Sequence, residues 1–212
     1  MNSIDDFVEK LSMLSPPDEM SLNIYMGDSK EAVVRREFLR YYLNEMKKLN
    51  PTRIFIGEAP GHNGCFITGV PFTDENTIVN NPFFIGIKEI LLDKTPQSEK
   101  TASIIWERLS NIPKEDYPLM WNIYPFHPSN VDSSHYLSTE RNNRKPNGRE
   151  CLLGKQVLEN LLNCFNIQEY YAIGCRARDT LKSKYTNIEY IRHPSFGGIN
   201  LFRELFNAIY NI

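Results

Sequence analysis

Apolar and polar positions follow two periods along this chain, and the period separates helices from strands. Apolar residues over positions 4–14 recur at helical spacing behind Asn2 and Ser3, either of which can cap, and Pro16-Pro17 ends the pattern. A stronger helical pattern over 29–49 sets Val33, Val34, Phe38, Tyr41, Tyr42 and Met46 on one side, with Asn50-Pro51 closing it. Four segments are apolar, rich in β-branched or aromatic residues and bounded by turn formers, so they predict short buried strands at 53–57, 119–124, 169–174 and 188–192. Helical patterns lie between them at 82–92, 99–109, 150–165 and 176–185, and another at 199–210 follows the last strand. Such alternation implies right-handed crossovers and a three-layer α/β/α fold around a central, mainly parallel four-stranded sheet.

Composition narrows the class without choosing a function. With 212 residues the chain is long enough for a full core and fits a single domain over 1–212. Apolar residues at 41% and charged residues at 24% are globular proportions, which argue against disorder or a fibrous repeat. A net charge of −2 provides no overall basic field, so contact with nucleic acid has to come from local clusters of Lys and Arg. Cys65, Cys151, Cys164 and Cys175 include no CxxC pair, which points to reduced thiols rather than a zinc knuckle or a disulfide framework. The first residues are acidic where a signal peptide is basic, and no apolar run approaches the roughly 20 residues of a membrane span, so a soluble, cytoplasmic protein is expected. The polar stretch 129–149, holding Arg141, Arg144, Lys145 and Arg149, reads as a long loop, either a solvated excursion or a DNA-facing segment.

In open parallel α/β sheets the ligand crevice lies beyond the carboxyl ends of the strands. Three of the four predicted strand ends carry distinctive chemistry. The first runs into Gly57-Glu58-Ala59-Pro60-Gly61 and His62-Asn63-Gly64, the second contains Asn122 and leads to His127-Pro128, and the fourth ends in His193-Pro194-Ser195. GEAPG after the first strand, Asn122 in the second and HPS after the last resemble the motifs of the uracil-DNA glycosylase superfamily. The resemblance spans residues 53–199 and is closest to the family-4 and family-5 types, which also share the segment Thr68-Gly69-Val70-Pro71-Phe72-Thr73.

The resemblance implies a DNA repair hydrolase that removes uracil or a related deaminated base, acting as a monomer on DNA with no cofactor and no metal. Breaking an N-glycosidic bond passes through an oxocarbenium-like sugar while the departing base carries negative charge, and the target nucleotide must first be flipped out of the helix. By resemblance Phe72 stacks on the flipped base, Asn122 reads its Watson–Crick edge, and His193 donates a hydrogen bond to the pyrimidine O2 as charge builds there. Ser195, with the backbone of Gly197 and Gly198, is placed on a DNA phosphate, with Phe196 and Ile199 as candidate wedges in the minor groove, while Arg144 and Lys145 of the polar stretch are candidates for further DNA contacts. Each of these residues also has a plain structural reading: a core phenylalanine, a turn asparagine, a strand-capping histidine, ordinary turn chemistry.

The chain departs from the pattern in three places. Several branches of the superfamily carry Asp or Asn at the third position of the first motif, where Ala59 stands. Family-4 members share that alanine and a glutamate at Glu58, so Glu58 is the first candidate for activating water, followed by His62 and Asp74. Many relatives have a basic residue where Val70 stands. Family-4 members bind a four-iron cluster through four cysteines, and since no cysteine precedes Cys65, no such cluster is expected. Two other readings remain: a catalytically weak or inactive DNA- or nucleobase-binding domain of the same fold, and an unrelated small-molecule enzyme on that scaffold.

Overall fold

The computed structural model describes residues 3–91, 95–130, 143–195 and 197–212. In chain order the elements are α1 (Ile4–Met13), β1 (Ser21–Leu22), α2 (Lys30–Leu49), β2 (Arg53–Gly57), α3 (Cys65–Thr68), α4 (Glu75–Asn80), α5 (Lys100–Leu109), β3 (Leu119–Asn122), β4 (His127–Pro128), α6 (Gly148–Leu162), β5 (Glu169–Ile173), α7 (Cys175–Leu181), β6 (Glu189–Ile191) and α8 (Ile199–Tyr210). Side-chain caps set several of the starts: the hydroxyls of Ser3 and Ser29 accept N–H groups of the first turns of α1 and α2, and Asn147 with Glu150 forms a capping box on α6.

Strands β2, β3, β5 and β6 form one parallel sheet in the order β3-β2-β5-β6, with helices packed around it in an α/β architecture. The chain moves outward from β2 to β3, then crosses back to β5 on the other side of β2. The gap between the carboxyl ends of β2 and β5 is therefore a topological switch point, where a crevice opens in such sheets. Phe55 and Tyr171 are paired in register on one face, and Phe55 meets Phe206 and Tyr210 of α8 at ring-centroid distances of 6.0 and 6.4 Å. On the opposite face Trp121 meets Phe7 of α1 at 5.7 Å. The outer edge of β3 is closed by a side chain. The Tyr42 hydroxyl accepts the Met120 N–H at 2.7 Å and lies 3.5 Å from the Met120 carbonyl oxygen.

The structure departs from the periodic pattern in instructive ways. The helix expected over 82–92 is two 3-10 turns, Pro82–Phe84 and Lys88–Leu91, because burial of Phe83 and Phe84 leaves Ile85 exposed, and Gly86 passes against the Tyr41 ring. Helix α2 buries Ala32, Leu39 and Leu43 alongside Phe38, Tyr42 and Met46, while Val33 is exposed, so its inner stripe is rotated from the one expected. The two-residue strands β1 and β4 pair antiparallel and are too short to leave a period-2 signal.

Helix α6 crosses the end of β3 so closely that Gly154 touches backbone. A Cβ at that position would lie 1.8 Å from the Ile123 carbonyl oxygen, an atom that cannot rotate away. Gly154→Ala is thus expected to lower the free energy of unfolding by about 3 kcal/mol or more, despite the better helix propensity of alanine, as read from urea denaturation.

Candidate active site

The carboxyl end of β2 is the floor of the site. Gly57 and Asn122 are register partners on β2 and β3, so both point to the same face of the sheet. Because Gly57 has no side chain, the Phe72 ring lies across it: a Cβ there would sit 2.3 Å from Phe72 Cζ and 2.8 Å from Asn122 Oδ1. Three sequence-distant residues, a glycine, an aromatic ring and an amide, meet at one point. Phe72 and Asn122 are both buried, at 7% and 3% exposure.

Phe72 is held there against its own backbone preference. Its φ is +54°, a left-handed conformation that costs a bulky residue about 1–3 kcal/mol and persists only where surrounding bonds enforce it. Those bonds are present: Trp106 Nε1 donates to the Phe72 carbonyl at 3.2 Å, Thr68 Oγ1 donates to the Thr73 carbonyl at 2.8 Å, and Thr73 Oγ1 donates to the Pro71 carbonyl at 3.0 Å. Val70 is fully buried beneath this turn, where a basic side chain would have to be desolvated.

Of the three candidates for activating water, Glu58 is the one whose carboxyl is uncommitted. Its backbone carbonyl accepts the Tyr124 N–H at 3.0 Å, but no described residue hydrogen-bonds its side chain. Burial raises its pKa above the ordinary carboxylate value, and the nearby cations Lys145 and Arg176 oppose that rise. Asp74 is completely buried and caps α4, with one oxygen accepting the Thr77 N–H at 2.7 Å and the other the Glu99 N–H at 2.6 Å. That is a structural assignment for both of its oxygens. His62 lies flat on Phe66 at 5.7 Å and 6.5 Å from His127, inside an aromatic group at the end of the GEAPG loop.

His193 and Ser195 follow β6 at the same edge of the sheet. The backbone N–H of Ser195 donates to His193 Nδ1 at 3.1 Å, and the Ser195 hydroxyl is 2.7 Å from the same nitrogen. A backbone N–H can only donate, so Nδ1 carries no proton, and the neutral ring holds its proton on Nε2. Burial, with the neighbouring Arg192 charge, lowers the His193 pKa to about 4. The Ser195 hydroxyl hydrogen is committed to the ring, and Gly197, φ +77°, is exposed; Phe196 lies outside the described residues.

Arg144, expected on DNA, is turned inward. Its guanidinium makes a bidentate pair with fully buried Glu150, both bonds at 2.7 Å, and also donates to the carbonyl oxygens of Ser129, Met20 and Lys145. Five such bonds consume the fork, and its role is to tie residues 129, 144 and 150 together. Lys145 is exposed and lies near enough to Glu58 to oppose the rise in that carboxyl's pKa. Three residues that sequence reasoning passed over also lie here, Arg176, Cys65, whose sulfur accepts from Asn122 Nδ2 at 3.7 Å, and Glu99, whose carboxyl lies against Gly61 and Gly64, while Gly57 entered only as the first residue of GEAPG. Only Gly57, a glycine closing an apolar strand, carried a local signal.

No family model matches the chain, and a search of curated proteins finds no match. Among solved structures, the crystal structure of wild-type Pedobacter heparinus SMUG2 superposes with a TM-score of 0.67, covering 100% of both chains at 16% identity. The fold is uracil-DNA glycosylase-like. Among the described residues, no helix is long and apolar enough to cross a membrane.

The Ser195 contacts make a spectroscopic prediction. Long-range proton–nitrogen spectra at pH 7 are expected to show His193 Nδ1 unprotonated and Nε2 protonated, with a titration midpoint near 4. Since an unfolded chain takes up that proton near pH 6.5, the contribution of His193 to stability is whole above that pH and is lost as pH falls toward 4.

Proposed function

We propose that the chain is a DNA glycosylase that hydrolyses the N-glycosidic bond of uracil or a related deaminated base, working as a single-domain monomer without metal or organic cofactor. The observation that carries this reading is the meeting of Phe72 and Asn122 over Gly57 beside the topological switch point. An aromatic face and a directed amide, both buried at a strand end, suit recognition of a flipped base, with stacking worth about 1–3 kcal/mol. The motif order GEAPG, TGVPF, Asn122 and HPS favours kinship with the family-4 and family-5 types.

His193 approaches from the other side. It follows β6 while Asn122 ends β3, and three strand spacings of about 4.8 Å set these positions about 14 Å apart. In this reading a heterocycle would lie between the two side chains, above β2 and β5. In that arrangement Asn122 reads the Watson–Crick edge while Nε2–H of His193 donates to O2. The glycosidic bond breaks with its electron pair leaving on the base, where it delocalises onto O2. Water oxygen bonds to C1′, and its proton passes to the Glu58 carboxylate. A neutral donor serves this step well, because it stabilises the developing oxyanion without first paying to desolvate a charge.

The test is release of base from single- and double-stranded oligonucleotides containing uracil, xanthine or hypoxanthine, read as abasic sites. His193→Ala is expected to lower kcat by about 100- to 1000-fold, and Asn122→Ala to raise KM as well. Loss of activity toward acid is expected to follow ionisation of Glu58, with a midpoint above the ordinary carboxylate value, and that limb should vanish in Glu58→Gln. If the protein binds these oligonucleotides but leaves every glycosidic bond intact, it is a binding domain of this fold.

A further inference from the structure

We infer that Cys65 and Tyr25 fix which way round the Asn122 amide faces, and so make the site select the uracil edge over the cytosine edge. This rests on the base-reading role proposed for Asn122. The two ends of a carboxamide have nearly the same shape, so packing alone cannot choose between them; only the polarity of a neighbour can. Uracil presents a ring N–H beside a carbonyl oxygen, whereas cytosine presents a bare ring nitrogen beside an amino group. An amide locked in one orientation matches the first and opposes the second at both positions.

A chain of three groups supplies the lock. The Tyr25 hydroxyl has one hydrogen and donates it to the Gly69 carbonyl at 2.7 Å, within the same rigid turn that carries Phe72. Its lone pairs are then what it offers to Cys65, with which it interacts. The Cys65 thiol is buried, and burial raises its pKa well above the ordinary thiol value, so sulfur keeps its hydrogen and can give it to Tyr25. What sulfur then presents to Asn122 is a lone pair, and the amide nitrogen is the atom found against it, Nδ2 to Sγ at 3.7 Å. With the amide reversed, Oδ1 would face a sulfur lone pair, or the thiol would have to leave Tyr25. One Nδ2 hydrogen is taken by sulfur; the other, together with Oδ1 on the Gly57 side, remains for a ligand.

Cys65 is therefore a positioning residue, acting through Asn122. The experiment compares the wild type with Cys65→Val, which keeps the volume and removes the acceptor, and with Tyr25→Phe, which frees the thiol to turn. Thermal unfolding checks that each variant is folded. Excision of uracil is measured with free uracil and free cytosine as competitors. Cys65→Val is expected to reduce the preference for uracil over cytosine by about tenfold, mainly through KM, with a smaller loss in Tyr25→Phe. In the unliganded wild type, the Asn122 side-chain amide protons should show slowed solvent exchange that disappears in Cys65→Val. A folded variant, of either kind, that keeps the full preference for uracil overturns the inference and leaves the glycosylase reading standing. A wild type that neither excises nor binds uracil overturns both.

Discussion

The site depends on one absence: Gly57 has no side chain, and the end of β2 can therefore be covered by a ring. Any larger residue there would push Phe72 off the sheet and crowd the Asn122 amide at the same time, since both lie within 2.8 Å of where a Cβ would stand. The cost of that close approach is spread through the Thr68–Asp74 turn, whose hydroxyls and carbonyls satisfy one another and hold Phe72 at positive φ. Trp106, from α5, adds a bond from outside the turn. Flexibility in this segment would release the strained phenylalanine, so the rigidity of the turn and the position of the ring are a single property.

The carboxyl groups of the site divide by environment. Asp74 is as buried as any residue in the protein, yet its oxygens are both occupied by backbone donors, and it acts as a cap. Glu58 is partly buried beside two cations, and among the described residues no backbone donor meets its carboxyl, which leaves its proton affinity adjustable. Histidines show the same division. His127 donates from Nδ1 to the Pro60 carbonyl at 3.2 Å, burial lowers its pKa to about 4, and it serves to hold the GEAPG loop. His193 is lowered similarly, but accepts at Nδ1 and so keeps its hydrogen on the opposite nitrogen.

Much of the fold was legible in the chain because buried strands and amphipathic helices leave strong periodic marks. Strand β2 and helix α8 occupy the residues their patterns indicate, and the switch point follows from strand order. Patterns failed where tertiary contacts outweighed local preference, as at Pro82–Leu91, where aromatic anchoring and Gly86 break a helical repeat into two turns. Within the candidate site, the motifs singled out Phe72 and Asn122, which the fold brings together over Gly57. Cys65 was not, because a lone cysteine in a short loop helix looks like any other buried thiol until its neighbour is known. Arg144 misled for the opposite reason: a basic residue in a polar stretch resembles a phosphate contact, and only the buried Glu150 shows that its charge is spent internally.

Tyr42 has a bearing on how this protein behaves at high concentration. An outer strand with vacant peptide groups is a template onto which another molecule can add its own strand. At β3 the phenol sits on the Met120 peptide, engaging its N–H and closely approaching its carbonyl, so intermolecular sheet growth is obstructed on that flank. The opposite flank, β6, offers only three residues for any such encounter, too short a ladder to hold a stranger.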